Sequence, residues 1–167
     1  MVRSLFFICF IVMHSSLIAQ NNPDQNMDMA IHTILLHPEG RPKDLPIIGL
    51  NDPGVLSISF DDFNFNYQNY FYSIELVDDQ WQPVQMSPFD YTNGFSQNKI
   101  NLFNVSSIAL QKYYHYQFSI PNQNCIPTKA GNYILKVFKD GNPSDLVFTR
   151  RFYVVNSLIG VFGSVQE

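Results

Sequence analysis

In Val55-Leu56-Ser57-Ile58-Ser59-Phe60 apolar and polar side chains alternate from Leu56 onward, and residues 70–77 (YFYSIELV) and 113–120 (YYHYQFSI) repeat the pattern. Successive strand residues point to opposite faces, so a period of two marks a strand with one covered side. The sets expected to be covered are Leu56, Ile58 and Phe60; Tyr70, Tyr72, Ile74 and Leu76; and Tyr114, Tyr116, Phe118 and Ile120. Outward from these three runs, residues 30–36 and 46–50 read as further extended pieces. Asn51-Asp52-Pro53-Gly54 and Asp78-Asp79-Gln80 supply turns, and Trp81 starts a short extended piece ended by Pro83. Residues 132–138 and 146–155 predict a hairpin across Lys139-Asp140-Gly141-Asn142-Pro143, with Tyr133, Leu135 and Val137 turned inward. Residues 86–107, with Pro88, Gly94 and many Asn, read as a loop, and residues 121–130 as a connection.

No ten-residue window carries a helical period. Six or seven short strands separated by turns predict an all-β, antiparallel β-sandwich, immunoglobulin/fibronectin III-like, with an open barrel or jelly roll as the alternative. Gly131-Asn132-Tyr133-Ile134-Leu135-Lys136-Val137 suits the penultimate strand of such a sandwich. There a tyrosine ring packs in the core while its hydroxyl bonds a nearby backbone group.

Composition narrows the function. Hydrophobic residues make up 46% of the 167 and charged residues only 14%, which argues against disorder, since disordered chains pair low hydrophobicity with high charge. Ten Lys and Arg face 14 Asp and Glu, and the only adjacent basic pair is Arg150-Arg151, so the clustered cations needed to neutralise phosphates are missing. The 15 Phe and 9 Tyr favour strands.

Residues 1–20 read as a secretory signal peptide: Arg3, an apolar run over residues 5–13, then Ser15, Ser16 and Ala19. The run is shorter than the ~20 residues that span a bilayer. Cleavage after Ala19 or Gln20 would remove Cys9 and leave Cys125 as the one thiol, excluding an intramolecular disulfide and multi-Cys zinc sites. Residues 21–29 are polar, carry Pro23 and read as a flexible leader; the sandwich is expected over residues 30–162, followed by a tail at 163–167.

Each chemically suggestive cluster has a structural counter-reading. Asp61-Asp62-Phe63-Asn64-Phe65-Asn66 spaces oxygen ligands like a calcium loop, but Tyr67 stands at the sixth position and Ser73 at the twelfth, which excludes an EF-hand; a looser cation site at Asp61, Asp62 and Asn64 stays open. Asp61-Asp62 and Asp78-Asp79 are poor glycosidase pairs, because that chemistry needs carboxyls ~5–9 Å apart across a cleft, and turn Asp residues cap backbone instead. His32, His37 and His115 lack metal-ligand spacing, no Gly-x-Ser-x-Gly elbow exists, and Cys125 has no basic cluster to activate it.

Arg150 and Arg151 face opposite sides of one strand, so one of them must point toward a covered face. It either pairs with a carboxylate, with Glu75, Asp61 or Asp62 available, or contacts another protein. Phe63, Phe65, Tyr67, Tyr70, Phe71, Tyr113 and Tyr114 crowd two segments, and together with Trp81 they suggest a binding surface for protein or carbohydrate. The expected interaction residues are therefore Arg150, Arg151, Trp81, Tyr67 and Tyr113, with no catalytic, cofactor or metal residue.

An ordered set of stretches resembles the N-terminal domain of the type IX secretion system plug protein family. These are Leu36-His37-Pro38-Glu39-Gly40, Leu45-Pro46-Ile47-Ile48, residues 56–62 (LSISFDD), residues 72–81 (YSIELVDDQW), and Tyr91 through Gly94-Phe95 to Asn98. His115-Tyr116, Pro121-Asn122, residues 131–137 (GNYILKV), Asp140-Gly141 and Thr149-Arg150-Arg151-Phe152 follow. Family members often carry a Cys and a further Asp just before the Trp, where this chain has Val77 and Gln80. The resemblance implies a periplasmic, non-enzymatic protein that docks on the periplasmic mouth of the outer-membrane translocon and blocks leakage. It offers no catalytic residue, and it implies that the chain covers only the first part of the family's length. A secreted carbohydrate-binding module is the alternative.

Overall fold

The computed structural model describes residues 23–50, 54–64, 66–106 and 112–156. The expected signal peptide, most of the turn at 51–54, Phe65 and the tail at 163–167 lie outside the described residues. Among the described residues twelve strands and one helical turn follow in order: β1 (Gln25–Asn26), β2 (Ile31–Pro38), β3 (Ile47–Gly49), β4 (Leu56–Asp62), β5 (Tyr70–Val77), α1 (Pro88–Tyr91), β6 (Thr92–Gly94), β7 (Asn98–Lys99), β8 (Leu102–Val105), β9 (Tyr114–Ile120), β10 (Cys125–Pro127), β11 (Gly131–Lys139) and β12 (Leu146–Val155).

One sheet runs β2-β4-β9-β8 and the other β1-β12-β11-β5-β7, with β3 also on β12 and a small β10-β6 pair beside them. Pairing is antiparallel except for β3 alongside β12. This is the arrangement of an immunoglobulin-type sandwich, four strands facing a three-strand centre of β5, β11 and β12. The alternating runs decide it. Leu56, Ile58 and Phe60 are fully buried while Ser57 and Ser59 are not, and Tyr70, Tyr72, Ile74 and Leu76 answer them from the other sheet.

Aromatic rings join the layers. Phe60 meets Tyr70 at 5.1 Å and Phe148 at 5.2 Å, both edge-on, and stacks on Tyr116 at 5.1 Å. Each such fully buried side chain contributes about 1.5–3 kcal/mol by leaving water. Tyr133, Leu135 and Val137 are inward and completely buried, as the alternation predicts. The Tyr133 hydroxyl donates to the Lys129 carbonyl at 2.9 Å and the Tyr91 carbonyl at 3.3 Å, so the ring enters the core without stranding a polar group.

Three segments differ from expectation. The loop at 86–107 holds α1, β6, β7 and β8, and the connection at 121–130 holds β10. These strands have two to four residues, too few to show a period. The leader is not loose from Pro23 onward: Gln25–Asn26 pairs with Thr149 and Phe148, and the Thr149 hydroxyl donates to the Pro23 carbonyl at 2.7 Å. An edge of β12 with unpaired backbone groups supplies the reason, since any short polar segment able to reach it gains hydrogen bonds there.

Candidate functional site

The five expected interaction residues do not meet on one surface. Arg151 and Trp81 lie on the outer face of the larger sheet, Arg150 on its inner face, and Tyr67 and Tyr113 at the aromatic end of the smaller sheet. Register separates the arginines: Arg150 pairs with Leu135, which faces the core, and Arg151 with Ile134, which faces out.

Trp81 closes the turn after β5. The Asp78 carboxylate accepts the N–H groups of Gln80 and Gln82 at 2.9 and 2.8 Å, and Trp81 takes a positive φ of 62°. That conformation is unfavourable for a residue with a Cβ, and here it lays the indole back over the sheet. The indole meets Tyr153 edge-on at 5.8 Å, and the Arg151 guanidinium sits 5.7 Å from its centroid. Arg151 also pairs with Asp24, Nε to Oδ2 at 2.9 Å, while Asp24 Oδ1 accepts the Arg151 backbone N–H at 2.7 Å. None of the three carboxylates available from sequence serves either arginine. Glu75 pairs with Lys136 at 2.7 Å, Asp61 with His115 at 2.6 Å, and Asp62 accepts the Tyr70 hydroxyl at 2.8 Å. The partner Asp24 lies 127 residues from Arg151 in the chain, and no local signal in the sequence points to it.

Below Trp81 runs a groove of about 190 Å³ between Trp81-Gln82-Pro83 and the strip at Pro23, Gln25 and Met27, floored by Ile134, Thr149 and the Glu75–Lys136 pair. Around the edge of β12, Arg150 is half-buried. Its Nη1 donates to the carbonyls of Thr149 at 2.8 Å and Gln25 at 3.1 Å, and its guanidinium lies 5.6 Å from the Phe148 centroid. Burial lowers its pKa, and the charge of Asp24 opposes that shift.

Asp61 and Asp62 turn to opposite faces of β4, as neighbours on a strand must, so the two carboxylates and Asn64 do not converge on one point. Instead Asp62 is buried and also accepts the Asn64 backbone N–H at 2.9 Å. Among the described residues no group of three His, Cys, Asp or Glu is placed to hold a metal ion. His32 stands edge-on to Phe63 at 4.9 Å, and His37 Nδ1 lies 2.9 Å from the Pro38 carbonyl. Cys125 is buried, and burial pushes its thiol up to about 12, away from the thiolate a nucleophile needs.

The crowded aromatics split between core and rim. Tyr70 and Tyr116 are fully buried, whereas Tyr67 is half exposed with its ring 5.2 Å from Phe103, and Tyr113 tilts against Phe63 at 5.2 Å. No described helix is long and apolar enough to cross a membrane.

Residues 31–156 match the family model of the type 9 secretion system plug protein 1st domain. Among solved structures, a hypothetical protein from Parabacteroides merdae ATCC 43184 is 28% identical, with a TM-score of 0.75, covering 79% of this chain and 33% of that one. The chain thus spans about a third of that protein's length. The alkylpurine DNA glycosylase AlkC of Pseudomonas fluorescens, solved on DNA containing an abasic site analog, is 11% identical with a TM-score of 0.37, over 74% of this chain and 29% of its own. Comparison with curated proteins gave no match.

Proposed function

The chain belongs to the type 9 secretion system plug protein family, and on that premise we propose that it is an exported, periplasmic interaction domain without enzymatic activity, docking on the periplasmic mouth of the outer-membrane translocon of that system. The observation that carries this reading is the coincidence of the family match, residues 31–156, with the whole described sandwich from β2 to the end of β12. Sealing a pore asks for a stiff body with a stable interface, and a sandwich stapled by buried rings has the close packing that stiffness requires. Of the carboxylates that might have served hydrolysis, Asp62 is bound to Tyr70, Asp61 to His115 and Asp78 to turn N–H groups, which supports a non-enzymatic role. Arg3, the apolar run at 5–13 and Ser15, Ser16 and Ala19 support export. A carbohydrate-binding role would ask Trp81 to offer a ring face, and Arg151 lies over it.

Affinity capture tests the reading. The tagged protein, expressed in a bacterium that has the secretion system, should enrich the outer-membrane translocon protein from solubilised envelopes. Enrichment no greater than that of a variant with a scrambled surface overturns it.

A further inference from the structure

The open side of the sandwich, where β2 of one sheet faces β12 of the other, holds a cleft of about 540 Å³. Ile34, Leu36, Pro42, Leu45 and Pro46 give it apolar walls, while Asp24, His37, Arg150 and Arg151 bring charged and polar groups to it. Arg150 is the one inward-facing charge of β12, in register with buried Leu135.

Its hydrogen bonds go to two neutral carbonyls, and no described carboxylate forms an ion pair with it. Asp24, the acidic group beside it, meets Arg151 through both carboxylate oxygens, and its charge reaches Arg150 without forming an ion pair. Two guanidinium charges against one carboxylate leave a net positive charge at the cleft, where Arg150 is half-buried. That state is costly until a counter-charge arrives, and a carboxylate is the group whose two oxygens match the guanidinium fork.

We propose that this cleft is a docking site for an acidic side chain of a partner protein, held by Arg150, with apolar residues flanking that acid in the partner seated on Leu36, Leu45 and Pro46. The inference rests on the reading of the chain as an interaction domain and names the surface used. Charge complementarity sets the acid. Extent sets the protein source: the apolar surface does not end with the cleft but continues past Leu45 into a second depression of about 430 Å³ lined by Ile47, Ile48 and Val155. Leu45, Ile47 and Val155 are 69%, 38% and 44% exposed, so this apolar surface is open to a partner on the described chain. A free small acid would leave that stretch wet; a chain segment running on from the acid covers it. Burial already presses on the Arg150 charge, and an incoming carboxylate relieves that pressure.

The test is a titration of the isotope-labelled full chain, read by amide chemical shifts, with the capped peptide acetyl-Leu-Val-Glu-Val-Leu-amide. Two companions are its Gln analogue and acetyl-Leu-Val-Val-Leu with a free C-terminus. The Glu peptide should shift residues 34–37, 45–48 and 150–153 and bind about tenfold more tightly than the Gln peptide, as a charge-assisted contact requires. Arg150→Gln should abolish that tenfold preference. Leu45→Ser, at a residue already 69% exposed, should weaken binding of both capped peptides in a chain that still folds. Equal affinity for the Glu and Gln peptides, shifts elsewhere, or a preference for the free C-terminus overturns the inference. Translocon capture separates the two readings. Wild type and Arg150→Gln enriching it equally sinks the cleft while leaving the family role, whereas no enrichment by wild type sinks the role.

Discussion

The Tyr133 ring is fully buried, yet its hydroxyl finds the Lys129 carbonyl four residues back, because the chain turns into β11 just behind it. Burial pushes that hydroxyl up to about 12, so it stays a neutral donor throughout the working pH range. Trp81 presents the opposite case, a large ring set by backbone strain. At φ 62° a Cβ crowds the neighbouring carbonyl, at a cost of roughly 1–2 kcal/mol that glycine escapes. Trp81→Ala and Trp81→Gly both remove the ring from Arg151 and Tyr153, but only glycine also relieves the backbone. We expect Trp81→Gly to be the more stable of the two by about 1 kcal/mol in urea unfolding, the reverse of the usual order. A Gly variant less stable than the Ala variant would show that the turn is not held in this conformation.

Among the elements, β6 and β10 show how a two-strand patch can hang on a single residue. Gly94 pairs with Cys125, has φ 120°, and a Cβ there would overlap the carbonyl oxygen of Asn124, which accepts the Phe95 N–H at 2.9 Å. Gly94→Ala must therefore push the two strands apart and uncover Cys125. We predict a loss of more than about 2 kcal/mol, together with alkylation of Cys125 under native conditions, read by mass spectrometry of its peptide. A variant with wild-type melting and a protected thiol would falsify it. β2 and β3 were legible in sequence as extended pieces, and β4, β5, β9, β11 and β12 as strands, because seven to ten residues with an inward-facing alternate set leave a period to read. The segment 86–107 was opaque for the converse reason. β7 has two residues and β6 three, and their pairing depends on partners distant in the chain. One signal there was local: Ser87-Pro88-Phe89-Asp90 reads as a helix start, and the Ser87 N–H does donate to the Asp90 carboxylate at 3.1 Å.

At the scale of the whole molecule, charge ties the segment before β2 to the opposite sheet. The candidate site was half legible for that reason: the strand period alone announces that Arg150 and Arg151 face opposite ways, while Asp24 is placed by the fold. A second tie of the same kind joins Asp28 to Lys139 at 2.7 Å, 111 residues apart. Burial by itself raises the Asp28 carboxyl, but the Lys139 hydrogen bond and charge and the Ala30 N–H outweigh it and hold the group below its ordinary 3.8. The same hydrogen bond holds Lys139 above its ordinary 10.5 against the opposing effect of burial. A lowered acid stabilises the fold above its unfolded pKa and loses that contribution as pH falls through the folded value. A raised base stabilises below its unfolded pKa and loses the contribution as pH rises through the folded value. The pair thus contributes fully between about pH 5 and pH 9 and fades on both sides. Asp28→Asn should cost about 1 kcal/mol near pH 7, the scale of a partly exposed pair with a charged hydrogen bond. The difference between variant and wild type should shrink as pH falls below 3.8, where the wild-type carboxyl also takes up its proton. Urea melts of both proteins across that range measure it. A gap that stays constant down to acid pH would mean that the Lys139 pair contributes nothing, and that the segment from Pro23 to Met29 is held by β1 and by its contacts with Thr149 and Arg151.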